Sequence, residues 1–122
     1  MSNLISIVEI PTADFPRAVT FYQAVVNVSI EEVDMDGIQM GVFPGGEGMV
    51  NLALIKGANY KPSADGPIVY LHAGTDLQPM LDKVVANGGR VIVPKTEIGP
   101  EMGFFAMFMD TEGNRLGLHS SH

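Results

Sequence analysis

The stretch Val8-Glu9-Ile10-Pro11-Thr12-Ala13-Asp14-Phe15-Pro16-Arg17-Ala18-Val19-Thr20-Phe21-Tyr22 reads as a strand running straight into a capped helix. Leu4 to Ile10 is apolar and rich in β-branched residues, which suits a buried strand. Asp14 is placed to accept the first free backbone N–H groups of a helix, and Pro16 is harmless in its first turn. Phe15, Ala18, Val19 and Tyr22 recur at i, i+3, i+4 and i+7, one apolar stripe aimed at a sheet.

This unit occurs twice. The slide that carries Asp14 onto Asp76 carries the stripe onto Leu77, Met80, Leu81 and Val84, and Ile7 onto Val69. The same slide brings Ile30 to Ile92 and the first helix end near Asn27 to Gly89. Identity between the copies is low, so the matched pattern carries the inference of an internal duplication.

Outward from the first unit, Val28 to Val33 and Ile38 to Phe43 read as a hairpin about Asp34-Met35-Asp36-Gly37. Met49 to Ile55 follows as a strand after the glycine-rich breaker 44–48. The spacing then predicts a strand over Pro67 to Ala73 and a helix over Asp76 to Asn87, stopped by Gly88-Gly89. Strands over Arg90 to Pro94, Phe104 to Met109 and Asn114 to His119 follow, with Lys95 to Gly103 expected as a loop. Each half is then strand, helix and three strands. The fold class is α+β: one domain over 1–122, made of two tandem βαβββ modules at 1–56 and 67–122, with a connector at 57–66. A sheet covered by a helix on one face needs a partner for the other. Two curved mixed sheets side by side are expected to enclose a cleft.

The bulk composition narrows the function. An apolar fraction of 46% and a charged fraction of 17% describe an ordinary folded chain. The net charge of −7, without a basic stripe, argues against nucleic-acid and anionic-membrane partners. The absence of cysteine rules out disulfides, thiolate metal sites and cysteine nucleophiles. No apolar run has the length of a membrane span and no export signal is visible, so a cytoplasmic address follows by default.

Glu9-Ile10-Pro11 with Asp14, Arg17-Ala18 and Phe21-Tyr22, then Asn87-Gly88-Gly89, then Asp110-Thr111-Glu112-Gly113-Asn114-Arg115-Leu116 form an ordered set spanning nearly the whole chain. In this set the chain resembles the vicinal oxygen chelate superfamily of glyoxalases, bleomycin-resistance proteins and extradiol dioxygenases, as a glyoxalase-like single-domain member. The resemblance implies paired βαβββ modules, a homodimer and, in metal-dependent members, four His, Glu or Gln side chains around a divalent ion. Carried over by position, those four places are Ile7, Ala53, Val69 and Gly117. None of these offers a side-chain ligand. The expectation is therefore a cleft with no metal and no cofactor.

Strand alternation puts Ile5 and Glu9 beside Ile7, Asn51 and Ile55 beside Ala53, and Arg115 and His119 beside Gly117. The expected lining is apolar, with Glu9, Asn51, Arg115 and His119 as polar members, as in small-molecule sites generally. Glu9 is a candidate general base through desolvation, or a salt-bridge partner of Arg115. His119 is a candidate proton relay. Met107 is either an adaptable wall for apolar guests or core filling, and His72 is expected on the face opposite Val69. Two functions compete: binding or sequestering a small, mainly apolar molecule, or a lyase or isomerase related to lactoylglutathione lyase. The second would use Glu9 with Arg115 or His119 as its catalytic group. A register error would make Glu9 and His119 ligands of a displaced metal site.

Overall fold

The computed structural model describes residues 4–122. They form two compact units, the first ending at Pro62 and the second spanning Ser63–His122.

The first unit contains β1 (Ile7–Pro11), α1 (Phe15–Val26), β2 (Glu31–Met35), β3 (Ile38–Val42) and β4 (Asn51–Lys56). Asp14 caps α1 by accepting the Arg17 N–H at 3.1 Å, and Asn27 closes the helix in the left-handed conformation. Phe15, Ala18, Val19 and Tyr22 are all buried, as the stripe requires. They share a core with Ile10, Ile30, Phe43 and Leu54. Burying each of the larger side chains contributes about 1.5–3 kcal/mol, so this one stripe is a principal source of the unit's stability. The sheet order is β1-β4-β3-β2, with β1 parallel to β4 and the other pairs antiparallel. At the β2–β3 hairpin both Asp36 and Gly37 have positive φ, the two-residue turn whose twist matches the strands.

The second unit repeats the plan with β5 (Tyr70–His72), α2 (Gln78–Ala86), β6 (Arg90–Gly99), β7 (Gly103–Met109) and β8 (Arg115–Ser120). Its order is β5-β8-β7-β6, with β5 parallel to β8, the same topology as the first sheet. Leu77, Leu81 and Val84 are buried, as are Ala106, Phe108, Leu116 and Leu118. α2 ends where the Gly89 N–H returns to the Val84 carbonyl at 2.8 Å.

Three expectations need correction. The strand over 67–73 shrinks to three residues. Asp76 is not the residue that caps α2: Leu77 holds that place, while Asp76 accepts the Gln78 N–H at 3.0 Å. The expected loop after Pro94 is instead the second half of β6, which pairs with β7 as far as Gly99 through register shifts. Bulges absorb the proline and the change of twist without ending the ladder. No described helix is long and apolar enough to cross a membrane.

Candidate functional site

Each sheet has a face turned away from its helix. In the first unit, β1–β4 pairing sets Ile7 beside Asn51 and Glu9 beside Ala53, all on that open face. Val8 and Ile10 point to the helix side, as alternation demands. Ile7 is 61% exposed, and Glu9 is solvent-exposed instead of set among apolar side chains.

In the second unit, Leu116, Leu118 and Ser120 are buried toward the helix, leaving Arg115, Gly117 and His119 on the open face. β7 supplies their neighbours: Met109 opposite Arg115, Met107 opposite Gly117 and Phe105 opposite His119. From β5 the partner of Gly117 is Tyr70, which corrects the expectation for Val69: Val69 falls one residue out of register, and Tyr70 takes the open-face position. Gly117 donates its N–H to the Val69 carbonyl at 2.9 Å, so Val69 contributes backbone there and its side chain alternates to the other face. By the same shift His72 pairs with His119 and shares its face, where the sequence had suggested separation.

The Tyr70 ring lies over Gly117 so closely that a Cβ at position 117 would overlap it. Tyr70 also meets Phe105 edge-on, with ring centroids 6.4 Å apart. With Ile98, Met102 and His119 these rings wall a cavity of about 470 Å3, within the range of small-molecule sites. Its polar groups are the His119 imidazole and the Tyr70 hydroxyl. The His119 Nε2 lies 2.8 Å from the Met102 carbonyl oxygen. A carbonyl only accepts, so Nε2 carries a proton.

Arg115 is half-buried beside Met107, its Nη2 donating to the Met107 Sδ at 3.2 Å. Its Nε is buried without a partner. Glu9 belongs to the first unit and Arg115 to the second. Elsewhere in the second unit, Lys95 pairs with Asp76 at 2.8 Å and lies over the Phe104 ring, 4.8 Å from its centroid. That ammonium, together with the Gln78 amide, holds the Asp76 carboxyl below the ordinary 3.8.

The divalent ion that the resemblance implies does not fit the positions that would hold it. Ile7 and Ala53 carry hydrocarbon, Tyr70 stands in the place expected of Val69, and its ring fills the space above Gly117. Among the described residues no three His, Cys, Asp or Glu side chains converge as a metal-binding group.

The sequence pointed to Gly117, His119, Arg115 and Met107, which the second sheet does bring to one face. It missed Tyr70, Ile98, Met102 and Phe105 as cavity walls. The readable signal was Ile98 and Met102, two large apolar residues in a segment otherwise marked by glycine and proline.

The model of the Glyoxalase/Bleomycin resistance protein/Dioxygenase superfamily matches residues 4–118. Among solved structures, a glyoxalase I mutant from Zea mays is similar with a TM-score of 0.74 at 15% identity, covering 95% of this chain and 46% of that one. This chain thus spans about half the length of the maize protein. A hypothetical protein from S. aureus gives 0.70 at 19% identity, covering 98% of both chains. The fosfomycin resistance protein FosX from Listeria monocytogenes gives 0.71 at 15%, covering 100% of this chain and 94% of that one. No curated protein matches this chain in sequence. At these identities the structural neighbours speak to the fold, and the family model, which takes in nearly every element from β1 to β8, speaks to descent. The chain belongs to the glyoxalase/bleomycin resistance protein/dioxygenase superfamily.

Proposed function

We propose that this protein binds a small, mainly apolar molecule on the open face of its second module, with no divalent metal at the superfamily's ligand positions. The cavity walled by Tyr70, Ile98, Met102 and Phe105 carries this reading. Rings and flexible side chains with few polar groups, the His119 imidazole and the Tyr70 hydroxyl, favour a hydrophobic guest of modest size. Binding, not turnover, is the better reading, because Glu9 is exposed and no carboxylate lines the cavity beside His119.

The test is titration with the neutral dye N-phenylnaphthylamine, followed by its fluorescence. The wild type should bind it saturably. Met102→Glu should weaken binding about tenfold or more, because it sets a carboxylate at a cavity wall. Residue 102 is 61% exposed, so the variant should keep its fold. Absence of saturable binding, or binding indifferent to Met102→Glu, would refute the assignment. Equilibrium dialysis against nickel, zinc and manganese, followed by elemental analysis, should leave well under one ion per chain. A stoichiometric ion would overturn the metal-free part. Pairing with a second copy, as the resemblance implies, predicts a dimer mass by light scattering.

A further inference from the structure

We infer that the bound molecule is an organic anion, its apolar body in the cavity and its acidic group on the Arg115 guanidinium; this rests on the small-molecule reading above. Arg115 opens β8 on the same face as Gly117 and His119, and Gly117 pairs with the cavity residue Tyr70. The guanidinium reaches Met107, which pairs with Gly117, so it stands beside the strand position that the cavity residue Tyr70 covers.

The side chain is poorly served by its own unit. Its Nε–H is buried with no acceptor, and Nη2 reaches only the Met107 thioether at 3.2 Å. A thioether is a weak, uncharged acceptor, and a desolvated donor without a partner is costly. Nε–H and one Nη2–H lie along the same edge of the planar guanidinium. That edge is the fork that grips a carboxylate or sulfonate through two parallel hydrogen bonds. Met107 is the group an arriving anion displaces, and its flexible, unbranched chain can move aside cheaply. The neighbouring open-face position, Gly117, carries no side chain, and the Tyr70 ring that covers it is 45% exposed and can swing aside.

Two dyes with the same aromatic body decide the matter: anilinonaphthalenesulfonate and its neutral counterpart N-phenylnaphthylamine. The wild type should bind the sulfonate about tenfold more tightly, as expected of a charge-assisted pair. Arg115→Met should abolish that preference, and saturable binding of the neutral dye then reports an intact cavity. Arg115→Lys, which keeps charge and length but not the fork, should retain only part of the preference and serves if Arg115→Met does not fold. Equal affinity for the two dyes in the wild type, or a preference that survives Arg115→Met, overturns the anion assignment and leaves the cavity standing. If neither dye binds, the cavity reading falls and this inference falls with it.

Discussion

Gly117 and Tyr70 fill one site between them: the glycine leaves the space and the ring takes it. Gly117→Ala forces the ring away. Because Tyr70 is 45% exposed, the ring can swing outward without backbone movement. The expected cost is therefore about 1 kcal/mol, at the low end for overpacking. It should vanish in a Tyr70→Ala background, where urea midpoints of the four variants give the coupling directly. An equal loss in both backgrounds would show that the clash lies elsewhere. Asp76 supports a second prediction. Its folded carboxyl is held below 3.8 by Lys95 and the Gln78 amide, so the ion pair favours the folded state wherever the unfolded carboxyl is ionised. That contribution is present above about pH 3.8 and is lost as pH falls through the lowered folded value. The stability difference between wild type and Asp76→Asn should therefore be flat at higher pH and shrink below about pH 4, in urea titrations followed across that range. At this scale the sequence was readable for Gly117, whose place in the final strand follows from the adjacent turn. It was not readable for Tyr70. A three-residue strand carries too little burial pattern to fix its register, and a slip of one residue exchanges the faces.

The two helices show what capping contributes at the scale of an element. Asp14 makes a direct bond to the Arg17 N–H, whereas α2 begins at Leu77 without a side-chain cap of its own. Asp14→Ala should cost about 1 kcal/mol, the usual value of an N-cap. Denaturant melts should show this loss with the slope unchanged, since no surface is newly exposed in the native state. Both helices were legible because their stripes are long and periodic. β6 was legible only in its first half. Pro94, Gly99 and Pro100 are breakers by composition, yet the backbone continues pairing through bulges, with Thr96 opposite Phe105 and Glu97 opposite Phe104. That continuation brings Ile98 to the cavity, so the half of the strand that was missed is the half that helps build the proposed site.

For the molecule as a whole, two sheets of identical strand order explain why an internal slide of the sequence was informative at low identity: burial pattern, not residue identity, is what each module must preserve. The passage between the modules was legible only as a polar stretch, because what fixes its end is a network of side chains distant in sequence. Asn114 Oδ1 accepts the Ser63 N–H at 3.1 Å, and its Nδ2 donates to Asp110 Oδ2 at 3.0 Å. Asp110 Oδ1 in turn accepts the N–H groups of Glu112 and Asn114 at 2.9 and 2.8 Å. Asp110, Glu112 and Asn114 are all buried, so the turn before β8 holds the first residue of the second unit in place. Asn114→Ala removes one donor from a buried carboxylate and one acceptor from the Ser63 amide. Losses of this kind cost about 1–3 kcal/mol each, and the shared carboxylate places the sum toward 3. The same change should release the segment 57–66, so limited proteolysis under native conditions should cut there several-fold faster than in wild type. Asn114→Asp separates the two effects. It keeps an acceptor for Ser63 but sets a second carboxylate against Asp110, so it should lose stability while slowing cleavage relative to Asn114→Ala. Were Asn114→Ala to lose stability with no change in cleavage, the turn would be holding β8 alone and the junction would be anchored by other contacts.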